Sequence, residues 1–272
     1  MTDGRPLIIS VAINGSRTRK TDNPAVPYTS REIADEIVRA AEAGAAIAHV
    51  HARTDDGRPT QDVDAFRKIV DQVRERSDII LELSLGSPGF SVEEALAPLA
   101  LRPAMASFPM EVRKDAAGGG DSLESTTRLL IERGVRPSLA VTSMDTRVMV
   151  QDLIDRDVAG TVPCLVVAAE PFESLAPAAS TVVQLVTALP AKVHWWVMKG
   201  GKSGADQYAL RALAIGLTGH VRVGFEDMIH TYDGADLAPS NAWYVERMVQ
   251  LARSMGRLTA TPGQARQVLR LG

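Results

Sequence analysis

The 272-residue sequence has one cysteine, Cys164, so no disulfide can form within the chain, which fits a reducing compartment. Cys164 sits in Pro163-Cys164-Leu165-Val166-Val167 and reads as a small buried hydrophobe. No apolar run approaches the ~20 residues of a membrane span. The polar start, Met1 to Arg5, lacks the charged lead and apolar core of a secretion signal. No basic tract runs along the chain and its formal net charge is -3, so nucleic acid is not an expected partner. The first apolar run is not followed by G-x-G-x-x-G, which disfavours a dinucleotide-binding sheet. The expectation is a soluble, cytoplasmic protein without membrane contact.

What is present is ordinary globular material, 45% hydrophobic and 23% charged, enough for a large core. Short β-rich runs alternate with helix-period stretches along its whole length. Strands are predicted at 7–13, 47–53, 79–86, 105–110, 139–144, 164–169, 194–198 and 221–225. Helices are predicted at 30–44, 62–76, 92–101, 121–133, 146–155, 181–189, 205–217 and 241–255. Repeated βα units of this size, eight in all, predict an α/β fold, a closed (β/α)8 TIM barrel forming one domain over 1–272. An open doubly wound sheet is the alternative. The loop around Gly118-Gly119-Gly120 reads as a lid or a loose surface connection.

Chemistry concentrates in Ala48-His49-Val50-His51-Ala52-Arg53, which holds two of the five histidines. Alternate strand residues face the same way, so His49 and His51 can converge on one metal ion, with Arg53 on that face. In a barrel the catalytic groups sit at the C-terminal ends of strands. The last strand ends Arg222-Val223-Gly224-Phe225-Glu226-Asp227, and in a closed barrel it lies beside the first strand and one removed from the second. Glu226 then completes a His2Glu ligand set with an open position, or forms an internal ion pair with Arg222. Asp227, at the turn, is placed to act as a base. Glu82 and Ser84 share a face of strand three, Ser107 ends strand four and Asn14 ends strand one, so each is a candidate ligand contact. Gly200-Gly201-Lys202-Ser203-Gly204 resembles the end of a P-loop, but Trp196 occupies the required earlier glycine. Such a turn still suits phosphate in a barrel. His194, His220 and His230 read as structural or exposed.

These stretches resemble the β-keto acid cleavage enzymes, whose founding activity is 3-keto-5-aminohexanoate cleavage. The matching segments include Ile13-Asn14-Gly15, Asn23-Pro24-Ala25-Val26-Pro27-Tyr28-Thr29, the histidine strand, Asp56-Gly57-Arg58-Pro59-Thr60, Arg102 to Ser107, Val221 to Asp227 and Ser240-Asn241-Ala242. The resemblance implies a zinc-dependent barrel, usually a homotetramer, that condenses a small β-keto acid with acetyl-CoA to give acetoacetate and a new CoA ester. It implies a metal, zinc or another divalent ion, on His49, His51 and Glu226, with Asp227 as base, Arg222 orienting it and Ser84 and Ser107 at the substrate. The chain departs from the family pattern in having Arg17 and Ala140 where glutamates are common, Leu85 where threonine commonly follows the serine, and no glycine-rich motif at Ala168-Ala169-Glu170-Pro171-Phe172. The departures lie in the pocket and point away from a cationic, amino-acid-like substrate. Two other readings are a metal-dependent aldolase or hydrolase of the same fold, and a non-catalytic ligand-binding relative. An amidohydrolase-type site calls for further histidines on strands five and six, where this chain has none.

Overall fold

A computed structural model describes residues 5–86, 89–108, 121–169, 174–187, 189–200 and 203–272. Eight parallel strands close on themselves in chain order: β1 (Ile9–Ala12), β2 (Ile47–Val50), β3 (Ile80–Ser84), β4 (Met105–Ser107), β5 (Arg136–Val141), β6 (Cys164–Ala169), β7 (His194–Gly200) and β8 (His220–Val223). The seam is the β8–β1 pair, in register at Ser10 and Arg222. Closure makes this a (β/α)8 barrel and excludes the open sheet. The helices are α1 (Ser30–Glu42), α2 (Val63–Arg74), α3 (Val92–Leu96), α4 (Asp121–Glu132), α5 (Met144–Asp155), α6 (Leu175–Val186), α7 (Gly204–Gly216), α8 (Asn241–Ser254) and α9 (Pro262–Leu269).

Strand alternation sorts the side chains into two cores. Outward residues such as Val11, Ala48, Val50, Leu81, Leu83, Val167 and Val221 pack against Ile33, Ile37, Phe66, Ile69, Leu210 and Met248 from the helices. Inward residues near the strand starts, Ile8, Ile47, Ile80, Met105, Cys164 and Trp196, form a second apolar plug, closed from below by Ala265 and Leu269 of α9. Cys164 is fully buried, and burial pushes its thiol up to about 12, so it is the inert small hydrophobe its setting predicts. Further along the strands the inward positions turn polar: Ser10, His49, Glu82, Ser84 and Arg222 are all buried. The apolar plug at the N-terminal end thus leaves the C-terminal end for chemistry.

Several boundaries shift for local reasons. The helix expected at 92–101 is α3 followed by a 3-10 turn, Ala97–Leu101, because Pro98 has no N–H for the α pattern. Strand five starts earlier than 139, at Arg136, and ends before the capping box in which Ser143 starts α5. The helix expected at 181–189 begins at Leu175. α9 had no expected counterpart, although Thr261-Pro262-Gly263-Gln264 carries a capping box with proline in the first turn. Strand four ends at Ser107 and Phe108 follows it as a buried residue outside the strand; positions 109 and 110 of the expected run, like most of the loop around Gly118-Gly119-Gly120, Glu170 to Phe172, and Gly201 and Lys202, lie outside the described residues.

Candidate metal centre and active site

The histidine strand lies between β1 and β3, and its register places His49 opposite both Ala12 and Glu82. His49 Nδ1 donates to Glu82 Oε1 at 2.9 Å, which fixes the ring and turns Nε2 toward the barrel mouth. His51 is two residues on, just past the end of β2. Its main chain is held by Asn14, whose Nδ2 donates to His51 O at 3.1 Å and whose Oδ1 accepts from His51 N at 3.4 Å. The expected substrate contact Asn14 is therefore fully buried and engaged with the segment that carries His51.

Glu226 arrives from the other end of the chain. His49 Nε2 and His51 Nε2 are 3.1 Å apart, and Glu226 Oε2 lies 3.1 Å from the first and 3.5 Å from the second. Three ligands at the ~2.0–2.1 Å distances of zinc in tetrahedral geometry stand about 3.3 Å from one another. The triangle matches that spacing. Glu226 Oε2 is buried and has no hydrogen bond of acceptable geometry, and neither has the far nitrogen of His51, Nδ1. A buried, acceptor-only oxygen without a donor, facing two imidazole nitrogens, fits a cation between them. Among the described residues this is the one His/Cys/Asp/Glu cluster with its ligand atoms mutually within reach of one ion.

The electrostatics agree. Burial opposes charge on His49, but the carboxylates of Glu226 and Glu82 outweigh it and hold its pKa up at about 9. Burial dominates at His51, taking it down to about 3, so it presents a neutral lone pair. Burial also opposes ionisation of Glu226, yet Arg222 and the two histidines keep its carboxyl well below the usual range.

Beside this triangle lies a second group. Arg222, on β8, makes a two-bond fork to Asp227, Nε to Oδ2 at 3.0 Å and Nη2 to Oδ1 at 2.7 Å, and Nη2 also reaches Glu226 Oε1 at 2.9 Å. The two readings of Glu226 are thus compatible: one oxygen pairs with Arg222, the other faces the histidines. Burial works against charge on Arg222, but Asp227 and Glu226 more than compensate and raise its pKa above the ordinary guanidinium value. β8 stops at Val223, short of the expected Phe225, because Gly224 turns the chain at φ +130° and passes so close to Ala12 O that a Cβ would lie 2.3 Å from it. Glu226 and Asp227 therefore stand on a turn rather than on the strand.

Ser84 and Ser107 end β3 and β4 in register with each other. Ser84 is buried and Ser107 half-buried, and among the described residues neither hydroxyl has a hydrogen-bond partner. Ala140 is half-buried on β5. Arg53 does not share the histidine face as expected. β2 ends at Val50, and the buried Arg53 guanidinium instead gathers the carbonyls of Asn14, Gly15, Thr18 and Gly57, within 2.7–3.1 Å, over the Tyr28 ring. It organises the β1–α1 loop, where Gly15 packs so tightly that a Cβ would lie 2.6 Å from Glu226 Cγ. His194 and His220 are buried and structural: they stack at 5.4 Å near the starts of β7 and β8, away from this site. Sequence reasoning missed the support roles of Glu82 and Arg53. The first depends on strand pairing and the second on where the loop folds back, neither of which a residue pattern displays.

Against known proteins, the family model for the beta-keto acid cleavage enzyme matches residues 6–271. The chain belongs to the β-keto acid cleavage enzyme family. It is 38% identical to a 3-keto-5-aminohexanoate cleavage enzyme of Fusobacterium nucleatum, over 97% of this chain and 98% of that protein. It is 31% identical to a 3-oxoadipate:acetyl-CoA acetyltransferase of Cupriavidus necator, over 98% and 95% of the two chains. Among solved structures, a ternary complex of ObcA with a C4-CoA adduct and oxalate superposes with a TM-score of 0.76 at 20% identity, covering 91% of this chain and 68% of ObcA, which supports the barrel. This β-keto acid cleavage enzyme therefore carries its family's reaction class on a barrel whose C-terminal end gathers the site described above.

Proposed function

We propose that this family member exchanges acyl groups between a small β-keto acid and acetyl-CoA, releasing acetoacetate and a new CoA ester, with a divalent metal on His49, His51 and Glu226. The observation that carries the reading is the triangle of His49 Nε2, His51 Nε2 and Glu226 Oε2 beside the Arg222–Asp227 fork. Zinc suits two imidazoles and a carboxylate with a position left open. When bound, the cation supplies Lewis-acid stabilisation of the negative charge that develops on the keto acid. Acetyl-CoA is supported by the name of the Cupriavidus relative.

The chain's own residues supply the rest. Asp227 takes a proton from the carbon between the two carbonyls, and Arg222 orients that carboxylate and offsets developing charge. The carbon then bonds to the acetyl carbon of the thioester and its bond to the original acyl group breaks. CoA leaves the acetyl group as its thiolate and adds to the original acyl carbonyl as that carbon–carbon bond breaks, and the proton held by Asp227 returns to the central carbon, giving acetoacetate and the new CoA ester. Ser84 and Ser107 donate hydroxyl hydrogen bonds to the substrate's oxygens, and Asn14 serves binding by holding the His51 end of the pocket. Arg17, exposed on the β1–α1 loop, favours a neutral or anionic substrate side chain. We further infer a cytoplasmic homotetramer, supported by the family resemblance and the single cysteine.

The test is a panel of β-keto acids with neutral, anionic and cationic side chains, incubated with acetyl-CoA and read by mass spectrometry of CoA esters. A new ester matching one panel acid is expected, and none from any member overturns the reaction. Arg17→Glu is expected to shift preference toward cationic side chains, and an unchanged ranking removes Arg17 from specificity. Full zinc occupancy in His49→Ala overturns the metal assignment.

A further inference from the structure

Glu226 and Asp227 lie beyond the regular ladder of β8, whose register with β1 stops at Val11–Val223. Something other than strand pairing must fix their direction. The Glu226 N–H donates to Ala12 O at 3.2 Å, but the preceding N–H, that of Phe225, has no strand partner and donates to the side chain of Asn241, Oδ1, at 3.0 Å. Asn241 is fully buried at the start of α8.

The other end of this amide reaches the opposite half of the site. Asn241 Nδ2 donates to Ile13 O at 3.0 Å, and the Ile13 N–H donates to His49 O at 3.1 Å. One side chain therefore spans from the turn carrying Glu226 to the residue that grips the histidine strand. Its orientation is also decided. Nδ2 donates at 3.1 Å to Glu36 Oε2, which also accepts the Asn241 main-chain N–H at 3.1 Å. A carbonyl and a carboxylate oxygen both demand a donor, so the amide can turn only its oxygen toward Phe225. Glu36, buried on α1, is in turn held by Arg39 one turn on. Gly224 leaves room for the arrangement, since a Cβ there would lie 2.8 Å from Asn241 Oδ1.

We infer that Asn241, oriented by Glu36, is the positioning residue that sets Glu226 and Asp227 against the His49–His51 pair. Asn241 and Glu36 stand outside the proposed metal ligands and substrate contacts, since Asn241 bonds Phe225, Ile13 and Glu36. The inference rests on the proposed roles of Glu226 and Asp227. Ordinary helix capping does not account for it: Ser240 already caps α8 through Trp243 N. The Asn241 side chain faces the active-site turn instead.

The test uses Asn241→Ala and Glu36→Gln in the full chain, with three readouts. Zinc affinity by chelator competition is expected to weaken by about 10–100-fold in Asn241→Ala, the usual effect of removing an outer-shell support. kcat is expected to fall by at least as much, with KM for the keto acid changed far less. Glu36→Gln, near-isosteric, is expected to fold and to show a smaller loss in the same direction. Hydrogen exchange of the Phe225 amide, measured on metal-free protein, is expected to accelerate in both variants. A folded Asn241→Ala with wild-type zinc affinity and kcat overturns the inference, even if its melting temperature has dropped. Should Asn241→Ala fail to fold, wild-type zinc affinity and kcat in Glu36→Gln overturn it. If wild-type protein neither binds zinc nor turns over, the proposed function fails, and the Phe225 exchange rate still decides whether Asn241 holds the turn.

Discussion

The ionised groups at the mouth of this barrel divide into those that face a ligand and those that aim them. Glu82 belongs to the second kind. It pairs with His49 across the β2–β3 ladder and accepts from Nδ1, leaving Nε2 free on the side of Glu226. Glu82→Gln keeps the shape but weakens that acceptor, and it is expected to lower zinc affinity by about 10–100-fold while preserving fold. Chelator competition on the purified variant measures this, and unchanged affinity removes Glu82 from the metal's support. The three residues that converge were legible in the sequence: His49 and His51 by their spacing, Glu226 by the motif that ends the last strand, although it stands on the turn after β8. Their supports were not. Arg53 continues the His-x-His alternation on paper, yet the strand ends at Val50 and its guanidinium turns to loop carbonyls. A period-2 pattern says where a side chain points only while the strand lasts.

Among the elements, the barrel's repeat was readable because the strands are short apolar runs and several helices carry their own start signals. Thr29 and Glu32 form a capping box at α1, and Asp62 and Ser203 cap α2 and α7. Two of the errors fell where a proline or a glycine acts through three-dimensional context, at Pro98 and Gly224. The starts of β7 and β8 carry a different device. The Ile8 N–H donates to His220 Nδ1 at 3.0 Å, which leaves His220 Nε2 to donate to His194 Nδ1 at 3.1 Å. This pair works only when both rings are neutral. Burial takes His194 down to about 4, helped by Arg5 and Arg136. His220 is held well below its ordinary value by burial, then by His194, Arg257 and Arg5. The unfolded chain takes up these protons below about pH 6.5, whereas the folded chain resists them, so the stability is complete above that pH and declines as pH falls toward about 4. From His194 alone the loss at pH 5 is up to about 2 kcal/mol. Denaturant melts between pH 7.5 and 5 are expected to show it, and His194→Gln is expected to flatten the slope. An equally steep profile in that variant contradicts the assignment.

At the scale of the whole molecule, the proposed metal site straddles the seam of the barrel. His49 and His51 belong to the second strand and Glu226 follows the eighth, with β1 paired to both. No ladder hydrogen bond joins β2 to β8, so a cation held by both sides adds a cross-link where the chain's last strand meets its first. It binds only the folded form, because the unfolded chain separates His51 and Glu226 by most of its length. At a free metal concentration 100 times Kd, linkage gives about 2.7 kcal/mol of added stability. For a chain of this size that is a rise of about 5 °C in Tm. Calorimetry of metal-stripped protein with and without zinc tests it. One cooperative transition is expected in both states, as one barrel over 1–272 requires, moving upward with zinc, and Glu226→Gln is expected to lose most of the shift. Two separate transitions would divide the chain into independent units. A Tm indifferent to zinc and to cobalt would leave the three ligand atoms without the cation their spacing fits, and with it the proposed chemistry.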